Sequence, residues 1–120
     1  HNTATAKSGA MVLHFNNLRT GRVVQLPLPA NGTITIGRER SLSDQFPADG
    51  RDSNVSRVHM SLLQRGGKVF IRDEHSTNGT YVDRGEIAPG REFLIESGSV
   101  IELGPNAREN GYSEYFELTY

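Results

Sequence analysis

The chain has no cysteine. Disulfide staples and thiolate metal sites are therefore excluded, and the absence fits a reducing compartment. The cytoplasm, or the nucleus if the source is eukaryotic, is the expected location. No apolar run approaches the roughly 20 residues a membrane-spanning helix needs, and no secretory leader pattern opens the chain, so no membrane partner is expected. Basic charge is not in surplus either: 13 Lys and Arg against 14 Asp and Glu give a net charge of −1. A nucleic-acid reader wants a basic face, so nucleic acid is not an expected partner. Lysine itself is scarce. Only Lys7 and Lys68 are present beside eleven arginines, and Arg offers a planar fork suited to carboxylate or phosphate. What remains is an ordinary globular composition, 35% hydrophobic and 22% charged over 120 residues. That length suits one domain able to bury roughly two-thirds of its unfolded surface.

Residues 1–10 are small and polar and read as a disordered leader or the remnant of a fragment end, with the domain proper over 11–120. A strand-length apolar run begins at Met11. Turn chemistry over 16–21 precedes a return strand over 22–26, which Pro27 and Pro29 are expected to stop. Asn31-Gly32 is a turn dipeptide. Thr33-Ile34-Thr35-Ile36 then alternates with period two, which places both isoleucines on one face. From Arg38 to Val55 the chain is rich in Ser, Asp, Pro and Gly, with a short helical turn possible within 41–46. Its arginines are matched by acids, so any anion site there must come from geometry. Further strands are expected over 58–64, 69–72, 80–82, 86–87, 92–95, 99–103 and 112–120. Arg65-Gly66-Gly67-Lys68 forms a hairpin turn, and Asp83-Arg84-Gly85 closes the 80–82 run. About ten to eleven short strands without a convincing helix predict an all-β, two-sheet β-sandwich with binding loops at one end.

Three polar clusters punctuate these strands: Gly37-Arg38, then Ser56-Arg57-Val58-His59, then Ser76-Thr77-Asn78-Gly79-Thr80. With the later stretch Val100-Ile101-Glu102-Leu103-Gly104, their order and spacing resemble the forkhead-associated (FHA) domain family from about Thr33 to Tyr120. The resemblance implies a phosphothreonine-reading module that recruits a phosphorylated protein partner in Ser/Thr kinase signalling, with no catalysis and no cofactor. By the same resemblance Arg38 meets the phosphate, Ser56 supplies a hydroxyl, and Arg57 a backbone N–H and its guanidinium. Thr77 and Asn78 hold the phosphoresidue and the peptide backbone, while Gly37, His59 and Gly79 support the loops. The chemistry of these side chains fits such a ligand. A phosphothreonine carries about −1.5 to −2 charges, and a carboxamide both donates and accepts along a peptide. Three features depart from the family pattern. The loop between Arg38 and Ser56 is long, Ser99 stands where an acid is common, and the glycine of Asp83-Arg84-Gly85 is shifted by one place.

Taken singly, each residue has a plainer reading. Arg38 would pair with Glu39 or Asp52 at the surface, Ser56 would be a turn hydroxyl, and Asn78-Gly79 a turn. A hydrolase assembled from Ser56, His59 and Asp73 lacks a Gly-x-Ser-x-Gly elbow. The histidines, His1, His14, His59 and His75, have no metal-ligand spacing, and no Gly-x-x-x-x-Gly-Lys supports nucleotide binding. Three Asn-x-Ser/Thr matches, at Asn31, Asn54 and Asn78, are chance in a chain full of Asn turns. The competing reading from another class is a phospho-independent interaction or self-association domain that uses a sheet face. A monomer is the default expectation.

Overall fold

The computed structural model describes residues 9–38 and 54–120. The first eight leader residues and most of the 38–56 loop, with its expected helical turn, lie outside the described residues.

Ten strands follow one another: β1 Met11–Asn17, β2 Val23–Leu28, β3 Thr33–Ile36, β4 Met60–Arg65, β5 Lys68–Asp73, β6 Thr80–Val82, β7 Gly85–Glu86, β8 Glu92–Ile95, β9 Ser99–Leu103 and β10 Glu114–Thr119. Among the described residues there is no helix. The strands form two antiparallel sheets, one of six in the order β2-β1-β10-β9-β6-β7 and one of four in the order β3-β4-β5-β8. The period-two patterns decide which face turns inward. Met11, Leu13 and Phe15 of β1 alternate with half-buried neighbours, and Phe116 and Leu118 of β10 do the same. From the smaller sheet Ile34, Ile36, Leu62 and Ile71 join them in one apolar core. Phe15 and Phe116 meet edge to face at 5.4 Å, the favoured arrangement of aromatic quadrupoles. Each fully buried aliphatic or aromatic side chain contributes about 1.5–3 kcal/mol of transfer free energy, so the sandwich is held by this layer.

Three local details differ from the sequence reading. β2 does not stop at Pro27; it runs on to Leu28, with Pro27 opposite Val12. β2 is an edge strand, so a missing N–H donor is tolerated on its open side. β4 begins at Met60 rather than at Val58; two residues before Val58, Ser56 bonds Arg38 and Thr77 instead of a neighbouring strand. Finally, the turn after β6 has two residues, Asp83 and Arg84, both at positive φ (48° and 73°). Gly85 pairs with Val82 in β7. Asp83 compensates for its conformation by accepting a hydrogen bond from the Val100 N–H at Oδ1 (2.9 Å) and donating its own N–H to the Val100 carbonyl (2.8 Å).

Registers bring the loops together. Ile36, Met60 and Asp73 lie in one row across the smaller sheet. Thr80, Leu103 and Glu114 lie in one row across the larger. The described segments that leave these rows, 37–38 with 54–59, 74–79 and 104–113, therefore share one end of the sandwich, where the Gly104 N–H donates to the Gly79 carbonyl at 3.0 Å.

Candidate functional site

At that end Arg38, Ser56, Arg57, Val58 and Thr77 line a concavity of about 350 Å³. The approach of the first two loops depends on Gly37. A Cβ there would collide with the Arg57 carbonyl and lie 2.9 Å from the Ser56 carbonyl oxygen. With glycine in place, the Arg38 N–H donates to the Ser56 carbonyl (3.0 Å). The Arg38 side chain is half-buried, and its Nε is buried without a hydrogen-bond partner among the described residues. An unsatisfied buried donor costs about 1–3 kcal/mol, more when charged, and calls for an acceptor. Glu39 and Asp52, the surface partners that the sequence offers, lie outside the described residues.

Ser56 is held at both backbone polar groups and at its hydroxyl. Its carbonyl takes the Arg38 N–H, its N–H donates to His59 Nδ1 (3.0 Å), and its Oγ accepts the Thr77 N–H (3.0 Å). The hydroxyl hydrogen remains available to donate. Arg57 is exposed beside it.

His59 is fully buried, and its ring spans two loops. Nδ1 accepts from Ser56, while Nε2 lies 2.7 Å from the Gly79 carbonyl. This pattern requires the neutral imidazole with its proton on Nε2. Burial holds the ring below its ordinary pKa; the Gly79 carbonyl and the Asp73 charge act in the opposite direction without overcoming it.

Asp73 organises the second loop. Its carboxylate accepts the Ser76 N–H (3.0 Å) and Ser76 Oγ–H (2.5 Å), and the Thr80 hydroxyl (2.7 Å). Ser76 Oγ in turn accepts the Gly79 N–H (2.9 Å). Gly79 has φ +89°, and a Cβ there would meet Glu86 Oε2 at 2.7 Å. The Ser56, His59 and Asp73 set is thus no nucleophilic triad: the His59 nitrogens bond Ser56 and Gly79 main-chain groups, and Asp73 bonds Ser76 and Thr80. No group of three or more His, Asp or Glu able to hold a metal occurs among the described residues.

Four of the five expected contact residues therefore line one concavity. Asn78 does not; its Nδ2 donates to the Asn54 carbonyl at 3.2 Å. In the sequence Asn54 shows only as a chance sequon. Asp73 enters the sequence reading only as a catalytic acid, although an Asp three residues before a Ser is the spacing of a side-chain-capped turn.

The FHA domain model matches residues 34–104, and the chain belongs to the FHA domain family, a family of binding modules. It is 33% identical over 91 residues to the rat E3 ubiquitin-protein ligase RNF8, a match that covers 75% of this chain and 19% of that protein. It is 35% identical over 85 residues to the FHA domain-containing protein FhaA of Mycobacterium tuberculosis, covering 71% of this chain and 14% of that one. Among solved structures, an FHA domain described under phosphothreonine-dependent FHA domain interactions superposes with a TM-score of 0.66 at 27% identity. That match covers 92% of this chain and 97% of that one. The chain spans less than a third of the length of the curated relatives it matches (19%, 31% and 14%).

Proposed function

We propose that the loop end is a phosphothreonine-peptide site, with Arg38, Ser56, Arg57 and Thr77 holding the phosphoresidue and Asn78 the peptide main chain. The observation that carries this reading is the concavity that brings two guanidinium-bearing residues and two hydroxyl-bearing ones together, with Arg38 Nε buried and unsatisfied among the described residues. A phosphate supplies the acceptors that set lacks. Charge-assisted hydrogen bonds are worth roughly 1.5–3 kcal/mol each. Two or three of them, less the entropy of association, correspond to about −8 kcal/mol, a low-micromolar Kd. The mark is written by Ser/Thr kinases, so the module works in the cytoplasm or a nucleus, as a monomer that recruits its phosphorylated partner. The domain does no chemistry of its own.

The reading is tested by fluorescence anisotropy with a degenerate phosphothreonine peptide pool, beside phosphoserine and unphosphorylated pools. Saturable binding to the phosphothreonine pool alone, lost in Arg38→Ala, is expected. Equal or absent binding across the pools overturns it.

A second reading has one observation behind it. On the outer face of the smaller sheet, Thr33, Leu63, Phe70 and Leu94 stand opposite one another across all four strands. Leu94 is 52% exposed at the edge. A phospho-independent partner would use that row, and Leu94→Lys would then abolish its binding while Arg38→Ala would not.

A further inference from the structure

We infer that Asn54 is a positioning residue for the phosphate pocket, and that through it the loop 104–113 governs how tightly the pocket holds its ligand. The inference rests on the phosphopeptide reading above. It starts from Ser56, whose hydroxyl must be aimed at the ligand. Downstream, Ser56 is tied to His59; across the pocket it is tied to Arg38 and Thr77. Upstream, the chain is held two residues away, at Asn54, by three hydrogen bonds. The Asn54 N–H donates to the Tyr112 carbonyl (2.9 Å) and its Nδ2 donates to Ser113 Oγ (3.1 Å). Its carbonyl accepts Asn78 Nδ2 (3.2 Å). Val55, between Asn54 and Ser56, is buried in the core, so the segment has an apolar anchor and a polar one.

Neither Asn54 nor any residue of 104–113 lines the concavity. They act at one remove. Gly104 makes the contact possible: it has φ +98°, and a Cβ there would lie 2.9 Å from the Asn54 Cβ and 3.0 Å from Ser113 Oγ. Ser113 is fully buried and donates to the Pro105 carbonyl (3.3 Å), so it is held by its own loop. Asn54 therefore joins three loops. It fixes Ser56 along the chain and Asn78 across space, and both are groups the ligand would meet. Hydrogen bonds are directional and weaken steeply as the donor–hydrogen–acceptor angle falls below about 120°, so a small shift of segment 54–56 is enough to be read as lost affinity.

The test compares Asn54→Ala, Ser113→Ala and the double variant. Titration with the phosphothreonine peptide pool is expected to show an affinity about five- to tenfold lower for Asn54→Ala, and a loss of similar size for Ser113→Ala. The double variant should be no weaker than Asn54→Ala, because the two residues act through one bond. In the free protein, the amide resonances of Thr77 and Arg38, whose N–H groups bond Ser56, should move in both single variants. A merely structural role would lower Tm and leave the Kd, measured well below Tm, and these two amides unchanged; that result overturns the inference. If Asn54→Ala does not fold, Ser113→Ala decides it alone. A wild-type chain that fails to bind the pool overturns the phosphopeptide reading and the affinity claim with it. The Thr77 and Arg38 amides of the free variants then still decide whether Asn54 places Ser56.

Discussion

Among the described residues, two concavities of nearly equal size lie at opposite ends of the sandwich, and their difference locates the function. One, of about 350 Å³, is lined by Arg38, Ser56, Arg57, Val58 and Thr77. The other, of about 340 Å³, is lined by Gly9, Met11, Ala30, Asn31, Gln64, Gly66 and Gly67. Volume does not distinguish them; chemistry does. The second has no ionisable side chain. Its loops are tight turns, and its one buried polar side chain is turned to the fold, with Gln64 Nε2 donating to the Leu28 and Pro29 carbonyls (2.9 and 3.2 Å). The first leaves a buried guanidinium nitrogen without a partner among the described residues. Around it, His59 and Asn54 tie separate loops to one another, and Asp73 braces the loop that follows it. One end closes the fold, and the other is held rigid for something that is not part of it.

Substitutions at the two ends should separate binding from stability. Arg38→Ala is expected to lower phosphothreonine-peptide affinity roughly 10- to 150-fold. Its Tm should be unchanged or slightly raised, because a buried donor with no partner among the described residues is removed. Asp73→Ala should do both kinds of damage. It strands the Ser76 N–H, Ser76 Oγ–H and Thr80 Oγ–H donors, which costs about 3 kcal/mol or more. A Tm fall of roughly 10 °C and a weaker Kd should appear together in calorimetry and titration. Gln64→Ala is the counterpart at the far end. It should cost about 2 kcal/mol, seen in urea unfolding, with the Kd within twofold of wild type. An affinity that fell as far in Gln64→Ala as in Arg38→Ala would break the distinction between the ends.

His59 adds a dependence on pH that the far end lacks. In the fold its pKa is lowered, chiefly by burial. In the unfolded chain it titrates near the ordinary value of about 6.5. As pH falls through that value the unfolded state takes up a proton that the folded state refuses, so stability declines. The His59 contribution is thus fully present above about pH 6.5 and is lost progressively as pH falls toward the lower folded value. Protonation would also place a hydrogen on Nδ1, where the Ser56 N–H now donates. Unfolding midpoints measured from pH 7.5 to 5 should slope downward in the wild type, and His59→Ala should lose the His59 share of that slope. An unchanged slope in the variant would show that other groups carry it.

The sandwich is legible in the sequence because strand alternation is a local property. Ile34 and Ile36, or Phe116 and Leu118, declare their buried face within a few residues. The residues gathered at the loop end are legible because each sits on a short motif. What those residues bond to is not. His59 reaches Gly79 across 20 positions, and Asn54 reaches Ser113 across 59. Such pairings depend on how two sheets stack, which no periodicity encodes. The early stop expected for β2 fails for a related reason. Pro27 ends a central strand but not an edge strand, and only the sheet order β2-β1-β10 reveals which of the two it is.

The smallest effect concerns a turn remote from both concavities. Asp83 and Arg84 both have positive φ, the signature of a type I′ hairpin turn, which favours Asn-Gly or Asp-Gly. Asp83 offsets its strain through two hydrogen bonds to Val100. Arg84, exposed at φ 73°, makes no comparable side-chain hydrogen bond among the described residues, and a left-handed conformation costs an L-residue roughly 1–2 kcal/mol. Arg84→Gly removes that strain but makes the unfolded chain more flexible. The net gain should be about 0.5 kcal/mol, or a Tm higher by roughly 2 °C, with phosphopeptide affinity unchanged. A lower Tm would mean that the Arg84 side chain holds the hairpin in a way its backbone does not reveal. A changed affinity would mean that the β6–β7 hairpin, which begins one residue after Gly79, transmits its geometry to the loop end.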